Sequence, residues 1–452
     1  MAVVELEART EPLELLSDLV ARAMRRGVTA ADAVHIEGIA MSVSQNMGTR
    51  EDLVRSEGGG IGLRVFFGKR QALTSTTDYS RAALETLLER TIAMARATPE
   101  DPYAGLAEPE LLATTLPDLD LFDAHEPSGE ELYARAAAAE GTALAVHGVT
   151  NSAGASANWV RGSLALVTSH GFVGTGKSSA FGVSVAVIAG GGTSMEMDYA
   201  FSSARHLGDL EPAEQIGGEA GRRAVRRLNP HKPDSKAMPV VFEPRIANGM
   251  LGCLEGAING ATIARGSSFL RNEMGKQVCN PGITIVDDPL RRRGLGSRAF
   301  DAEGVRSRRL GLVEDGVLQT WLLSSADARQ LGLRSTGHAA RGLSSPPGPA
   351  SSNLFLEAGK VTPDELMSDV RRGVYLTNVY GDGIDIVTGD YSLGAAGFLI
   401  KNGNIGEPIS EFTIAGNLRD MFRNMTAAND LVFRYGHDAP TLRIDGMTVA
   451  GT

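Results

Sequence analysis

Cysteine is scarce in this sequence, with only Cys253 and Cys279 among 452 residues. Two cysteines cannot build the disulfide framework of a small secreted domain. No apolar run reaches the roughly 20 residues that a membrane-spanning helix needs, and the longest weakly polar stretch covers residues 181–191. The first residues also lack the basic and apolar regions of a secretory signal. These absences together predict a cytoplasmic protein.

Positive charge is in deficit, because 44 Lys and Arg face 54 Asp and Glu and the net charge is −10. This balance excludes broad affinity for nucleic acids or anionic membranes. Two basic clusters stand out, Arg291–Arg293 and the group Arg306, Arg308 and Arg309. No aromatic residues alternate with them as in a nucleic-acid motif. They predict a solvated face or a contact with an acidic partner chain.

Clustered metal ligands are missing as well. The eight histidines each stand alone in sequence, so no pair at helical spacing anchors a zinc site. Cys253 lies among apolar helical positions and is predicted to be a buried, inert thiol. His338 is predicted to be structural. Asp382, Asp385 and Asp390 lack the closing Glu of a calcium loop, so they predict carboxylates that bond their own turns.

The hydrophobic pattern predicts a mixed α+β fold. Helical periodicity covers residues 12–27, 80–97 and 212–227, and strand-like segments cover 31–76 and 148–205. Capping boxes open helices at Ser128 and Thr362. The Pro-rich and polar stretches between these segments divide the chain into predicted domains at 1–98, 120–228 and 237–452. The expected fold is an N-terminal α/β part, with an antiparallel sheet and flanking helices, followed by a β-rich part.

One stretch imitates a nucleotide-binding loop. Residues Gly171–Ser178 satisfy the pattern of a glycine, four residues and then Gly-Lys-Ser. A phosphate loop must open a helix, whereas Phe181, Val183 and Val185 follow with the two-residue period of a strand. We therefore predict a hairpin turn at Gly174 and Gly176 rather than a nucleotide site.

The most informative segment starts at Pro244, a favourable first residue of a helix. It contains Leu254-Glu255-Gly256 and then Arg265-Gly266-Ser267-Ser268. These blocks resemble the metal-binding helix of the TldD/PmbA family of peptidases. Further blocks resemble the same family in the same order along the chain, and they span Gly59–Val65, Leu73–Ser80, Pro239–Phe242, Phe300–Val305, Ser335–Arg341, Gly381–Ser392 and Ala439–Val449.

The resemblance implies a lost zinc site. The catalytic branch of the family carries His-Glu-x-x-x-His directly before its Gly-Leu-Glu-Gly block. The matching positions here are Ala247, Asn248 and Gly252, and none of them can bind zinc as imidazole does or act as general base. The cysteine that supplies a third ligand near Gly381 in that branch is absent too. With no metal to serve, Glu255 and Arg265 are expected to hold the helix and the turn after it.

These features are similar to the PmbA branch of the family, also called TldE. The resemblance implies a C-terminal, barrel-like domain that carries the degenerate helix. It also implies a non-catalytic subunit of a cytosolic metallopeptidase, with no cofactor of its own, that forms a peptide chamber with a zinc-bearing TldD-type chain. Whether this member of a peptidase family is itself an enzyme stays open. The alternative is an autonomous homodimer that binds peptides or acts as a scaffold without a protease partner. A third possibility is an active metallopeptidase with relocated ligands.

Overall fold

The computed structural model describes residues 12–451. The predicted absence of a secretory signal concerns residues 1–11 and lies outside them. The N-terminal half consists of α1 (Pro12–Arg25), β1 (Ala30–Asn46), β2 (Thr49–Phe67), β3 (Arg70–Thr76), α2 (Arg81–Ala97), α3 (Gly129–Leu144), β4 (Val149–Thr168), β5 (Val173–Ala189), β6 (Glu196–Ala204) and α4 (Ala213–Arg226). Short 3₁₀ turns lie at Pro109–Leu111, Gly192–Ser194 and Leu207–Asp209.

The six strands of this half form one antiparallel sheet in the order β3-β2-β1-β4-β5-β6. All four helices cover the same face, because alternate residues of a strand share a face. Ala31 and Ala33 of β1 pack with α1 and α2, while Val43 packs with α3 and α4. On the opposite face, Val34 packs with Phe300 of the C-terminal half. The sheet therefore lies between a helical layer and the second half of the chain.

The C-terminal half begins with a strand that leads directly into a helix. Its elements are β7 (Lys236–Phe242), α5 (Pro244–Ala257), α6 (Gly260–Ala264), β8 (Ile285–Asp287), β9 (Leu310–Glu314), β10 (Val317–Leu318), α7 (Ser325–Gln330), β11 (Ala339–Ala340), β12 (Gly348–Pro349), β13 (Leu354–Leu356), α8 (Pro363–Met367), β14 (Arg372–Tyr380), β15 (Asp390–Lys401), β16 (Asn404–Asn417), α9 (Leu418–Arg423), β17 (Met425–Ala427), β18 (His437–Asp438) and β19 (Leu442–Ala450).

Five of these strands close into a barrel. They follow the order β16-β15-β14-β7-β19, and pairing of β19 with β16 from Thr413–Ala450 to Ala415–Thr448 completes the ring. A second sheet in the order β10-β9-β8-β13-β18 lies beside it. One continuous apolar core includes Leu251 of α5, Leu312 of the second sheet and Val374 of the barrel. The helix is thereby fixed between the barrel and the second sheet.

The structure confirms the predicted mixed α+β fold, the antiparallel N-terminal sheet and the barrel-like C-terminal half. Both predicted capping boxes are present, at Ser128 and Thr362. β1 pairs along its length with β4, so one sheet runs through the first two predicted domains. The boundaries 1–98, 120–228 and 237–452 stay a prediction. Between residues 12 and 451, no helix is long and apolar enough to cross a membrane.

The predicted hairpin turn at Gly174 and Gly176 is wrong by a few residues. The turn lies between Thr168 and Phe172, where the Thr168 amide donates to the Phe172 carbonyl and Gly171 has a φ of +94°. Gly174 and Gly176 instead continue β5, paired with β4. β5, the strand that argues against a phosphate loop, therefore begins earlier than the apolar alternation in the sequence indicates.

Candidate functional site

The helix α5 is oriented by the strand before it. β7 lies inside the barrel wall, and the backbone amide of Glu243 donates to the Leu376 carbonyl of β14 at 3.1 Å. Pro244 then occupies the first turn, where no intrahelical donor is needed. Leu251 and Leu254 are buried, so the helix has one side in the core. Its other side carries Gly252, one of the three positions of the lost metal motif.

The three motif positions do not converge on one point. Ala247 is fully buried in the core, whereas Gly252 is exposed and a Cβ added there would have no atom within 4 Å. Asn248 is half-buried, and in the described part of the chain its side chain has no hydrogen-bond partner. The helix therefore presents a bare outer face instead of a ligand cluster.

The chemistry of this donor set does not fit zinc. A methyl group, a carboxamide and a hydrogen atom occupy the places where imidazoles and a carboxylate would bind the ion. Within residues 12–451, no group of three or more His, Cys, Asp or Glu side chains is arranged to hold a metal ion. No catalytic step through a metal can be derived for this chain from these residues.

Glu255, retained from the family block, lies in a small polar cluster at the far end of α5. Its carboxylate accepts a hydrogen bond from the Ser351 amide at 2.8 Å and lies 3.6 Å from Nε2 of His437. The Ser351 hydroxyl is 2.9 Å from the same histidine nitrogen. The prediction that Glu255 holds the helix in place is consistent with these contacts, which tie α5 to the segments before β13 and around β18.

This cluster resembles a serine-hydrolase triad only in its residue types. In such a triad the acid binds the ring nitrogen opposite the one that faces serine. Here Ser351 and Glu255 both approach Nε2 of His437, so the carboxylate does not orient the ring for proton abstraction. Neither partner of Glu255 was predicted from the sequence. They lie about one hundred residues or more away from it in the chain, and no spacing pattern connects them.

The turn after α5 is not held by Arg265, contrary to the prediction. Arg265 is exposed, and among the described residues its guanidinium has no hydrogen-bond or ion-pair partner. Ser268 fixes this turn instead, because its hydroxyl donates to the Ala257 carbonyl at 2.6 Å. Gly266 has a φ of +73°, which favours glycine. Gly256 lies on the outer side of α5, with room for a Cβ 3.7 Å from Ile386.

Comparison with known proteins identifies the family to which the sequence blocks around α5 belong. The sequence matches three models of the PmbA/TldA metallopeptidases: domain 1 at residues 31–95, the central domain at 122–228 and the C-terminal domain at 235–451. The chain belongs to this family.

Individual relatives align in sequence with this chain over nearly its full length. "Metalloprotease PmbA" of Escherichia coli O157:H7 is 37% identical over 443 residues, covering 97% of this chain and 96% of that protein. The "Metalloprotease PmbA homolog" of Haemophilus influenzae is 35% identical and covers 99% and 98%. The crystal structure of TldE from Thermococcus kodakarensis superposes with a TM-score of 0.86 at 19% identity, covering 97% and 100%, and shows the same fold.

In this family member, a buried ion network joins the start of α5 to the N-terminal sheet. Arg245 donates to Asp198 of β6 at 2.7 Å and to Glu243 at 2.7 Å. Arg227 lies 3.4 Å from the same aspartate and 3.0 Å from Glu196. Burial raises the pKa of Glu243 above its ordinary value even though Arg245 opposes the shift. The network fixes the bare face of α5 relative to β6.

The edge of β6 near this network is already occupied. The Tyr199 amide donates to its neighbour Asp198, and its carbonyl accepts from Arg223 at 3.2 Å and Arg245 at 3.0 Å. The Arg245 guanidinium also lies 4.6 Å from the centre of the Tyr199 ring. A peptide cannot pair with β6 at Tyr199 unless these bonds break.

His338 is buried, as its predicted structural role requires. Its Nδ1 is 2.9 Å from the Thr336 hydroxyl and its Nε2 is 3.1 Å from Asp287. Burial would raise the pKa of Asp287, but hydrogen bonds from His338 and Ser352 hold it below its ordinary value. The predicted turn-forming carboxylate Asp385 likewise accepts the Val387 amide of its own loop at 2.7 Å.

The lysine of the phosphate-loop pattern is followed by strand rather than by a helix. Lys177 lies on β5, paired with Ser163 of β4. It lines a cavity of about 760 Å³ on the sheet, together with Glu37, Tyr79 and Arg161. Because no helix opens directly after this lysine, the pattern does not provide the helix N-terminal amides that hold the phosphates in a phosphate loop.

Proposed function

We propose that this chain is the non-catalytic, TldE-type subunit of a cytoplasmic peptide-processing metallopeptidase. Its partner would be a TldD-type chain that carries the zinc ion and the general base. The present chain would complete the chamber between the two subunits and limit which peptides enter. Modified peptide precursors and short unfolded polypeptides are the expected substrates.

The donor set on α5 is the observation that carries this proposal. A buried methyl at Ala247 and an open Gly252 take the place of the ligands, while the helix, the barrel and the whole family fold are kept. A fold that is kept without its metal ligands favours a role for the outer face of α5 in assembly or in peptide contact. The relatives are named metalloproteases, and this is consistent with a role of the present chain in a proteolytic assembly.

The cytoplasmic location in this proposal is supported by the two cysteine thiols. Cys253 and Cys279 are both free and buried. Free thiols are usual in the reducing cytosol.

Co-purification tests the proposal most directly. We expect the chain alone to contain no stoichiometric zinc and to cleave no peptide. Mixed with a TldD-type chain, it should co-elute as a heteromer in which zinc and chelator-sensitive peptidase activity appear. Chelator-sensitive cleavage by the isolated chain would contradict the proposal. A homodimer that ignores the TldD-type chain would favour the autonomous binding protein instead.

A steric variant tests the role of the α5 face. Gly252→Trp should fold normally, since space is open there and Trp has a higher helix propensity than Gly. We expect it to abolish co-elution or peptidase activity of the pair. Gly141→Trp is the matched control, because Gly141 lies on α3 and is equally open. Unchanged activity in Gly252→Trp would show that this face is not used.

A further inference from the structure

A second concave site is lined by residues outside α5. It has a volume of about 300 Å³, which is at the lower end of ligand-binding cavities. The lining residues come from three stretches of chain, and they are Glu110, Leu111, Val305, Arg306, Arg308, Arg334, Ser335 and Thr336. Three arginines and one carboxylate therefore surround the cavity.

The three arginines have no internal partner. Across residues 12–451, no hydrogen bond or ion pair is formed by the guanidinium of Arg306, Arg308 or Arg334. Glu110 lines the same cavity but forms no ion pair with them. The formal charge of the lining is thus +2, in a chain whose net charge is −10. Like charges around one cavity repel each other, and a bound anion would relieve that repulsion.

The other basic cluster of the sequence behaves differently. Arg291 lies 3.7 Å from Asp438, and Arg292 and Arg293 lie 3.0 and 2.6 Å from Asp120. Arg292 and Arg293 thereby join the C-terminal half to the segment before α3, whereas Arg291 pairs within its own half. The contrast separates a structural arginine cluster from one whose charge is available to a ligand.

The backbone fixes the positions of the free arginines. The Arg306 amide donates to the Leu111 carbonyl at 3.0 Å. Ser307 is buried between exposed Arg306 and Arg308, so these two side chains leave the segment on the same side. Arg334 follows α7, and the next residues are anchored because the Thr336 hydroxyl accepts the Leu323 amide at 2.8 Å. The chain therefore brings together charges that are 26 and 28 residues apart in sequence.

We propose that Arg306, Arg308 and Arg334 form a binding site for a compact oxyanion group, a phosphate or a carboxylate. Guanidinium groups bind both through paired, charge-assisted hydrogen bonds. The apolar side chains of Leu111 and Val305 line the same cavity and would contact the rest of a small ligand. No residue of α5 lines this cavity, and this proposal does not depend on the proposed subunit pairing.

Calorimetric titration of the full chain with inorganic phosphate and, separately, with succinate tests this site. We expect saturable binding of at least one of them at low ionic strength. Arg308→Ala should weaken binding by about tenfold or more, the effect of losing one charged hydrogen-bonding group. Glu110→Gln should strengthen it, because the repelling carboxylate is removed. Preference for phosphate or for succinate then identifies the class of ligand.

Two further variants keep the test decisive. Arg90→Ala, at an exposed position of α2, is the matched control for lost charge and should leave binding unchanged. Arg308→Lys keeps the charge but loses the paired geometry, and we expect it to bind more weakly than the unmodified chain. Absence of saturable binding by both anions would overturn the proposal, as would equal affinity in Arg308→Ala and Arg90→Ala.

Discussion

Arg245 at the start of α5 and Asp198 on β6 are joined by a buried hydrogen-bonded ion pair of 2.7 Å, with 5% and 2% of their side chains exposed. The pair connects the barrel half of the molecule to the edge of the N-terminal sheet. Burial alone would lower the pKa of Arg245, but the nearby carboxylates raise it above its ordinary value. The guanidinium is therefore charged at all relevant pH values.

Arg245→Met should destabilise the protein by about 3 kcal/mol, since it leaves Asp198 buried with only the more distant Arg227 as a cation. Chemical denaturation measures this difference. Arg372→Met is the control, because Arg372 and its partner Asp234 are 48% and 71% exposed. Exposed pairs contribute at most about 1 kcal/mol. Equal losses in both variants would show that burial of the pair is not the cause.

Asp301 should make stability depend on pH. Burial, followed by the charge of Glu303, raises its pKa from 3.8 to about 7. The folded state therefore binds a proton more tightly than the unfolded state does, and the stability linked to this proton is lost as pH rises from 3.8 to about 7. In Glu303→Gln the repelling charge is gone, so this loss should become smaller. Measuring the free energy of unfolding between pH 4 and about 8 for both proteins tests this expected loss of stability.

The control for this experiment is Glu214→Gln, an exposed position on α4. It should keep the pH dependence of the unmodified chain. The Gln at position 303 can still accept the Ser325 amide, which Glu303 now binds at 2.7 Å, so the local fold is preserved. Parallel curves for the unmodified chain and Glu303→Gln would contradict the assignment to this pair.

Both thiols should be unreactive in the native protein. Burial raises the pKa of Cys253 to about 11 and that of Cys279 to about 12, so almost no thiolate is present at neutral pH. We expect an aromatic disulfide reagent to titrate no thiol until denaturant is added, and both thereafter. Ala82→Cys, at an exposed position of α2, should react at once and serves as the positive control. Rapid labelling of a native thiol would show that one of these sites opens.

Local pattern predicted much of this fold. Ser128 and Thr362 each have a Glu three residues later, and both open helices through the expected reciprocal bonds. The alternation at Phe181, Val183 and Val185 correctly indicated a strand. It did not show that β5 starts at Val173, because the residues between Val173 and Phe181 carry no apolar alternation.

The candidate site was predictable only in part. The resemblance gave the three altered positions on α5, but it gave neither Ser351 nor His437 as contacts of Glu255. Arg334 joins Arg306 and Arg308 only through the folded chain. Such long-range contacts depend on how distant segments of the C-terminal half pack together, and one sequence contains no record of that packing.

The closure of the barrel has a consequence for biosynthesis. β7 is paired on one side with β19, and β19 also closes the ring onto β16. A nascent chain leaving the ribosome must therefore wait until residues 442–450 have emerged before this wall can form. The N-terminal sheet has no such requirement, because its last strand ends at Ala204. We infer that translation delivers one half ready to fold while the other is held open until synthesis is nearly complete.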